Sequence, residues 1–257
     1  MADEEPVLYS VEGALARITL NRPEKRNALN AAVIDGLKEK LHAAAKDERV
    51  RAVVISGAGK DFCSGADLSA LRQIAQASVS ENMEDAHSLL NLFVLIREIP
   101  VPVVAAVRGR ALAGGCGLAT ACDLVLAAES ARFGYPEVKI GFVPAMVMAI
   151  LRRNVSEKRA FELITRGAEF NAAQAQAFGL VNEIYADESF DEDVTSYVSE
   201  FSKLSRSAVS LTKSLLYQMD GLTFAVALET GADVNVIARL TKDCQERVAK
   251  FLNKDQS

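Results

Sequence analysis

Two glycine-bearing loops and one glutamate are the residues of this sequence best suited to chemistry. The first loop, residues 62–67, reads FCSGAD, and the second, residues 109–117, reads GRALAGGCG. Each loop follows a short apolar run and precedes a helical pattern, so each can leave backbone N–H groups unpaired at the start of a helix. Two such N–H groups that converge would stabilise the oxygen anion of a reacting carbonyl group. Glu137 follows the second loop and could act as an acid/base beside it.

The apolar runs before these loops predict two buried strands. Residues 52–55 and 103–107 are continuously apolar, as is typical of strands that are covered on both faces. Two more strands are predicted, one at residues 15–20, where apolar residues alternate, and one at residues 124–127. Asn30 is a predicted N-cap, because apolar residues at helical spacing follow it. This alternation of strands and helices predicts an α/β fold.

The remaining elements are predicted to be mainly helices. They are expected over residues 68–99 with an interruption at 78–82, and over residues 115–121, 156–166, 172–178, 222–240 and 242–253. One last strand is predicted at residues 180–184, and only helices follow residue 187. We therefore expect a core of residues 1–200 and a C-terminal helical region of residues 201–257. Since the last helices have no partner strand, this region is expected to pack on the core or on another subunit.

Composition excludes several classes of function. Half of the 257 residues are apolar, and the net charge is −5 with both signs interspersed, which argues against nucleic-acid binding. The apolar runs are too short to span a membrane, and the acidic N-terminus does not resemble a secretory signal, so a cytoplasmic protein is expected. The four cysteines form no CxxC pair and there are two histidines, so neither a zinc site nor a disulfide framework is expected.

Three local motifs lack residues that the sites they resemble require. Residues 56–60 lack the first glycine and the Ser/Thr of a phosphate-binding loop, and residues 115–120 end in Thr where a dinucleotide-binding motif has glycine or alanine. Ser64 lacks the flanking glycine of a nucleophile elbow. His42 is interpreted as a surface residue, and His87 as a structural residue on a helix.

Several motifs, in order along nearly the whole chain, resemble the crotonase family, the enoyl-CoA hydratases and isomerases. They are LNRP at 20–23, RNALN at 26–30, FCSGAD at 62–67, ALAGGCGLATACD at 111–123, FGYPEVKIG at 133–141 and FGLV at 178–181. The resemblance implies a spiral of stacked strand–strand–helix turns with a C-terminal helical region. It also implies that this region builds homotrimers, often paired into homohexamers.

The resemblance further implies where an acyl-CoA thioester would bind. It assigns the oxyanion hole to the backbone N–H groups of Ala66 and Gly114, and proton transfer to Glu137. The implied substrate-binding residues are Lys25, Arg26, Ala28, Ser64, Asp67, Leu68, Gly117, Phe251 and Lys254. Lys25 and Arg26 could meet phosphates, or could be a solvated charge pair. No separate cofactor is implied, because coenzyme A is part of the substrate.

Position 117 departs from the pattern of typical hydratases. The resemblance implies two catalytic glutamates, of which Glu137 matches the second, whereas Gly117 stands at the position of the first. A glycine inside a helix costs about 1 kcal/mol relative to alanine, so a packing or substrate reason for it is expected. Residues 143–148, VPAMVM, stand where hydratases often have a glycine-rich stretch, and predict an apolar wall.

Three functions are compatible with a single glutamate. Hydration of a 2-enoyl-CoA is placed first, with a branched, methylglutaconyl-CoA-like substrate as one version of it. Migration of a double bond from C3=C4 to C2=C3 needs one base only, so a Δ3,Δ2-enoyl-CoA isomerase is the second. A crotonase homologue that binds acyl-CoA without catalysis is the third.

Overall fold

The computed structural model describes residues 5–254, without the side chains of Leu68 and Lys254. The strands are β1 Val7–Glu12, β2 Leu15–Leu20, β3 Ala52–Gly57, β4 Val103–Val107, β5 Arg110–Leu112, β6 Leu124–Ala128, β7 Arg132–Gly134, β8 Glu169–Asn171 and β9 Glu183–Tyr185. The helices are α1 Ala31–Lys46, α2 Leu68–Gln76, α3 Val79–Glu98, α4 Gly114–Ala121, α5 Ala145–Asn154, α6 Glu157–Arg166, α7 Ala172–Phe178, α8 Phe190–Ser199, α9 Arg206–Gln218, α10 Phe224–Leu240 and α11 Lys242–Lys254.

The strands form two sheets that belong to successive turns of the chain. The larger sheet has the order β1-β2-β3-β4-β6-β9, and all of its pairs are parallel except β1 with β2. The smaller sheet has the order β5-β7-β8. Because β4 enters the larger sheet and β5 the smaller one, the chain passes from one layer to the next within residues 107–110.

The buried core lies on both faces of the larger sheet. All five residues of β4 are buried, which explains why its sequence is continuously apolar rather than alternating. On one face the sheet packs with α1, α3 and α4, and on the other it packs with α8. The loops that leave β3 and β4 are therefore held between a rigid sheet and a packed layer of helices.

Most of the predicted elements are confirmed, with three boundaries corrected. β9 begins at Glu183 rather than at residue 180, because Gly179 takes a left-handed conformation. Asn182 also pairs with Val125 partly through its side chain, since Asn182 N donates to Val125 O and Val125 N donates to Asn182 Oδ1. The helical interruption before α3 is confined to 77–78, since Ser78 forms a capping box with Glu81. Helix α10 begins at Phe224, not at residue 222. The prediction also missed β1, β5, β7, β8 and α5.

A buried lysine on α9 binds the C-terminal helical region to the core. Lys213 on α9 donates to the carbonyl oxygens of Ile96 at 2.7 Å and Val101 at 2.9 Å, and pairs with Asp123 at 2.7 Å. The Tyr217 hydroxyl donates to the other oxygen of Asp123. Because every charge in this cluster has a partner, its burial is tolerated. Within residues 5–254, no helix is both long and apolar enough to cross a membrane.

Candidate active site

The two glycine-bearing loops lie against each other through backbone hydrogen bonds. Cys63 N donates to Arg110 O at 3.0 Å, and Leu112 N donates to Cys63 O at 2.9 Å, which makes a short parallel bridge across the loops. An added Cβ at Gly115 would lie 2.3 Å from Cys63 O, so only glycine allows this approach. The prediction that the loops converge is consistent with this geometry.

The backbone N–H of Ala66 is unpaired among the described residues, whereas the groups on either side of it, Gly65 C=O and Asp67 N–H, both form hydrogen bonds with Leu29. Leu29 N donates to Gly65 O at 2.7 Å, and Asp67 N donates to Leu29 O at 2.8 Å. Successive residues of an extended chain point to opposite sides, so the Ala66 N–H points away from Leu29. No acceptor for it is found among the described residues.

The backbone N–H of Gly114 is the first of helix α4 and has no partner within the helix. Ala113 precedes it at φ 50° and ψ −127°, an unfavourable conformation for a residue with a Cβ, and provides no side-chain cap. An added Cβ at Gly65 would lie 3.6 Å from Gly114 N, which shows how closely the first loop approaches this helix end. Two unpaired N–H groups and the positive end of a helix dipole can together hold an anion.

Glu137 lies just after β7 of the smaller sheet, and the end of β7 is hydrogen-bonded to the second glycine-bearing loop. Ala113 N donates to Gly134 O at 2.8 Å, which ties the second loop to the end of β7. Glu137 follows in a short 3-10 helix, Pro136–Ile140. Its Oε2 atom is buried and has no hydrogen-bond partner within the described part of the chain. Burial raises the pKa of Glu137 above its ordinary value, toward the range in which a carboxyl group can both accept and return a proton.

Gly117 lies one turn after Gly114 on α4 and is buried. An added Cβ there would lie 2.6 Å from Val147 Cγ2. The packing reason expected for a glycine at this position is therefore the close approach of helix α5, which the sequence analysis did not predict.

The early loop, which comprises residues 21–30 between β2 and α1, presents two exposed cations near the first glycine-bearing loop. The side chains of Lys25 and Arg26 are exposed, and neither forms an ion pair with another described residue. Ser64 N donates to Arg26 O at 3.0 Å, which joins the two loops. Ala28 in the early loop is buried. Lys25, Arg26, Ala28 and Ser64 are thus brought together, and their contact with a substrate stays a prediction.

The carboxylate of Asp67 is fully occupied by contacts within the protein. Its Oδ1 caps helix α2 by accepting from Ser69, and its Oδ2 accepts from Arg22 at 2.7 Å. The hydrogen bonds from Ser69 and the pairing with Arg22 lower the pKa of Asp67 to about 2. Asp67 therefore fixes the backbone next to Ala66, and the substrate contact predicted for it stays a prediction. The side chain of Leu68 lies outside the described residues.

Two residues that organise the site were missed in the sequence analysis. Arg22 bridges Asp67 and the carbonyl oxygen of Ala28, at 2.9 Å for the latter. Asn27 is 1% exposed and has a φ of 53°, and its amide donates to Ala58 O and Asp61 O. Both residues belong to the LNRP and RNALN motifs, so the motifs indicated the region but not these roles.

The predicted C-terminal contacts lie on helix α11. Phe251 is 67% exposed. The helix is attached to the chain before α9, since Arg247 donates to Lys203 O at 3.0 Å and Asp243 accepts from Ser205. These contacts do not bring Phe251 to the early loop, and the side chain of Lys254 lies outside the described residues.

Comparisons with known proteins agree with this arrangement of elements and site. Residues 10–257 match the family described as enoyl-CoA hydratase/isomerase. A Thermus thermophilus protein provisionally named an enoyl-CoA hydratase is 41% identical over 243 residues, which are 95% of this chain and 96% of that protein. The 2,3-dehydroadipyl-CoA hydratase of Escherichia coli is 33% identical over 249 residues, or 96% of each chain.

Solved structures give the same result for the fold. The crystal structure of a Mycobacterium smegmatis enoyl-CoA hydratase superimposes with a TM-score of 0.92 at 32% identity, over 98% of this chain and 97% of that one. Human enoyl coenzyme A hydratase domain-containing protein 3 gives a TM-score of 0.91 at 28% identity, over 97% and 98% of the two chains. The chain therefore belongs to the enoyl-CoA hydratase/isomerase family, and the predicted crotonase fold is confirmed.

Proposed function

We propose that this protein hydrates a 2-enoyl-CoA thioester through an enolate, with Glu137 as its single proton carrier. The observation that carries the proposal is the buried, unpartnered Oε2 of Glu137. Glu137 follows β7, whose end is joined to the second loop by the hydrogen bond from Ala113 N to Gly134 O, and the N–H groups of Ala66 and Gly114 in the two loops are unpaired among the described residues. A buried acceptor without a partner destabilises a fold, so its presence in a segment joined to the two glycine-bearing loops favours a catalytic reason.

The proposed reaction is a proton shuttle on one carboxylate. Ionised Glu137 accepts a proton from water while the water oxygen forms a bond to C3 and the thioester carbonyl becomes an enolate. The N–H groups of Ala66 and Gly114 stabilise the enolate oxygen, at about 2.7–4 kcal/mol for each well-placed donor. Glu137 then returns the proton to C2, so that one water molecule has been added and the carboxylate is restored.

Binding of coenzyme A is proposed along the early loop. Lys25 and Arg26 are exposed cations that form no ion pair with another described residue, as phosphate-binding groups would be. The link from Ser64 N to Arg26 O would hold these cations at a fixed distance from Ala66.

Double-bond isomerisation is a second candidate because the site has one carboxylate. Glu137 would remove a proton from C2 of a 3-enoyl-CoA and return it at C4, with no water consumed. The two side chains nearest to an added Cβ at Gly117 are Val147 and Phe93, and their apolar character favours this reading because neither can hold a water molecule. The names of the relatives favour hydration, which therefore stands first.

A branched, methylglutaconyl-CoA-like ester is proposed as one form of the substrate. The Escherichia coli relative is named for an unsaturated diacid ester, 2,3-dehydroadipyl-CoA. Comparison of kcat/KM for straight, branched and carboxylated 2-enoyl-CoA esters tests this choice. Equal values for all three would contradict a selective acyl site.

The reaction type is tested by an absorbance assay on wild type and Glu137→Gln. Hydration removes the conjugated thioester of crotonyl-CoA, whereas isomerisation of a 3-enoyl-CoA creates one. The proposal expects wild-type turnover of crotonyl-CoA and its loss in Glu137→Gln. Turnover of the 3-enoyl ester alone would identify an isomerase, and tight binding without turnover of either ester would identify a non-catalytic acyl-CoA-binding protein.

We also propose a homo-oligomer, either a trimer or a hexamer. Helix α10 exposes apolar side chains that a solitary chain would leave in water, among them Phe224 at 81% and Leu240 at 71%. Light scattering on the purified protein tests this proposal, and a monomer at micromolar concentration would contradict it.

A further inference from the structure

Val147 and Phe93 pack against Gly117 on one side of α4, the helix that begins at Gly114. Residues three apart on a helix share a face, so position 117 lies on the side of α4 that carries Gly114. An added Cβ at position 117 would lie 2.6 Å from Val147 Cγ2 and 3.5 Å from Phe93 Cζ. Since real Cβ atoms essentially never come within 3.0 Å of another heavy atom, Val147 blocks any side chain here.

Val147 cannot easily move aside. It is 4% exposed on helix α5, and Phe93 on α3 is 6% exposed. A valine on a helix has one strongly preferred rotamer, because its branched Cβ is crowded by the preceding turn. The obstruction is thus a methyl group held by packing rather than the free end of a long side chain.

We propose that Val147 is a specificity-determining residue: it fills the volume that a side chain at position 117 needs, and so excludes a second carboxylate beside Glu137. This inference rests on the proposed function and deepens it. Hydration of an enoyl ester gains from a second carboxylate that holds water at C3, whereas double-bond migration needs one base only. Val147 therefore biases this site toward reactions that a single proton carrier can complete.

The steric part of the proposal is tested by a thermal double-mutant cycle on G117A and V147A. Alanine is favoured over glycine inside a helix, so G117A would stabilise the protein if there were room. We expect G117A to lower the Tm by several degrees when Val147 is present, and to lower it little or raise it in the V147A background. Equal shifts in the two backgrounds would overturn the proposal.

The specificity part is tested by placing a carboxylate in the opened volume. The G117E/V147A variant is compared with G117E alone and with G117Q/V147A, which has the same size but no charge. The readout is the rate of crotonyl-CoA hydration divided by the rate of 3-enoyl-CoA isomerisation. We expect this ratio to rise roughly tenfold or more in G117E/V147A only. A tenfold rise is less than the about 10²–10⁴-fold that a well-positioned acid/base contributes, because the introduced carboxylate is not held in place by the surrounding protein.

Two results would overturn the specificity part, and both differ from a failure of the proposed function. An equal rise in G117E alone would show that Val147 excludes nothing. No rise in G117E/V147A over G117Q/V147A, with CoA-ester binding retained, would show that position 117 does not reach the reacting atoms. The proposed function itself fails if Glu137→Gln keeps its activity or if the wild type does not turn over crotonyl-CoA, and either outcome leaves the thermal cycle informative.

Discussion

Replacing Glu137 with glutamine is expected to lower activity and raise stability at the same time. The substitution keeps the size of the side chain but removes the charge and the capacity to accept and return a proton. In the wild type the Oε2 atom is buried without a partner, and burial raises the pKa of the carboxyl group. The fold therefore carries an unfavourable group at neutral pH, which the glutamine variant relieves.

The expected magnitudes follow from these two roles. Loss of a positioned acid/base lowers kcat by about 10²–10⁴-fold, or about 2.7–5.4 kcal/mol of transition-state stabilisation. A buried polar group without a partner costs about 1–3 kcal/mol, of which the glutamine amide keeps a part. A gain on the order of 1 kcal/mol would raise the Tm by about 2–4 °C for a chain of this length.

The gain in stability is expected to depend on pH in one direction. Because the pKa of Glu137 is higher in the folded than in the unfolded chain, the folded state binds the proton more tightly. The free energy of unfolding of the wild type therefore falls as the pH rises from the ordinary glutamate value through the raised one. The Tm difference between Glu137→Gln and wild type should be small at pH 4 and reach its full size above this window.

Thermal denaturation at several pH values and steady-state kinetics measure the two effects on the same preparations. Glu188→Gln is the matched control, because Glu188 is exposed and forms no ion pair with another described residue. The control should change neither quantity. A Glu137→Gln variant that is less stable than wild type at pH 8 would refute the destabilising burial of the carboxylate, and a fully active variant would refute its catalytic role.

Three further outcomes are expected. Gly65→Ala should lower kcat by about 10²-fold, because residue 65 has a φ of 93° and its added Cβ would displace the loop; Gly13→Ala, at φ 61° with open space around it, should leave kcat unchanged. Lys213→Met should lower the free energy of unfolding by about 3–5 kcal/mol in urea denaturation, because it leaves Asp123 without its partner charge; a smaller loss would contradict that role. Iodoacetamide at pH 8 should label Cys244 and spare the other three cysteines, which are buried with raised thiol pKa values, and mass spectrometry would reveal any exception.

The elements that the sequence predicted are those whose signal is local. β4 is a continuous apolar run that is buried throughout, and Asn30 caps α1 by accepting from Val33 N. The three strands of the smaller sheet have three residues each, which is too short for an alternating pattern. They exist because β5 and β7 pair across turns of the spiral, a contact that no local pattern reports.

In the candidate site, too, residues with a local signal could be predicted and residues that depend on distant partners could not. The glycines and Glu137 were identified from their motifs; the structure shows the two loops joined by hydrogen bonds and the Glu137 Oε2 atom buried, and the catalytic roles stay predictions. The roles of Asn27 and Val147 could not be predicted, because they depend on distant partners: Asn27 binds carbonyl groups more than thirty residues away, and Val147 packs against position 117 from another helix. Residue types and motifs thus indicate the candidate residues, whereas the space around them is set by tertiary packing.

The most direct test of the account is the exchange of the C2 protons of a saturated acyl-CoA in D2O. The central claim is that Ala66 and Gly114 stabilise a thioester enolate while Glu137 moves its proton, whichever reaction follows. Butyryl-CoA can neither be hydrated nor isomerised, so deuterium at its C2 reports enolate formation alone. The account predicts exchange by the wild type, followed by NMR, and its loss in Glu137→Gln. No exchange by a wild type that binds the ester, or undiminished exchange by Glu137→Gln, would contradict the claim.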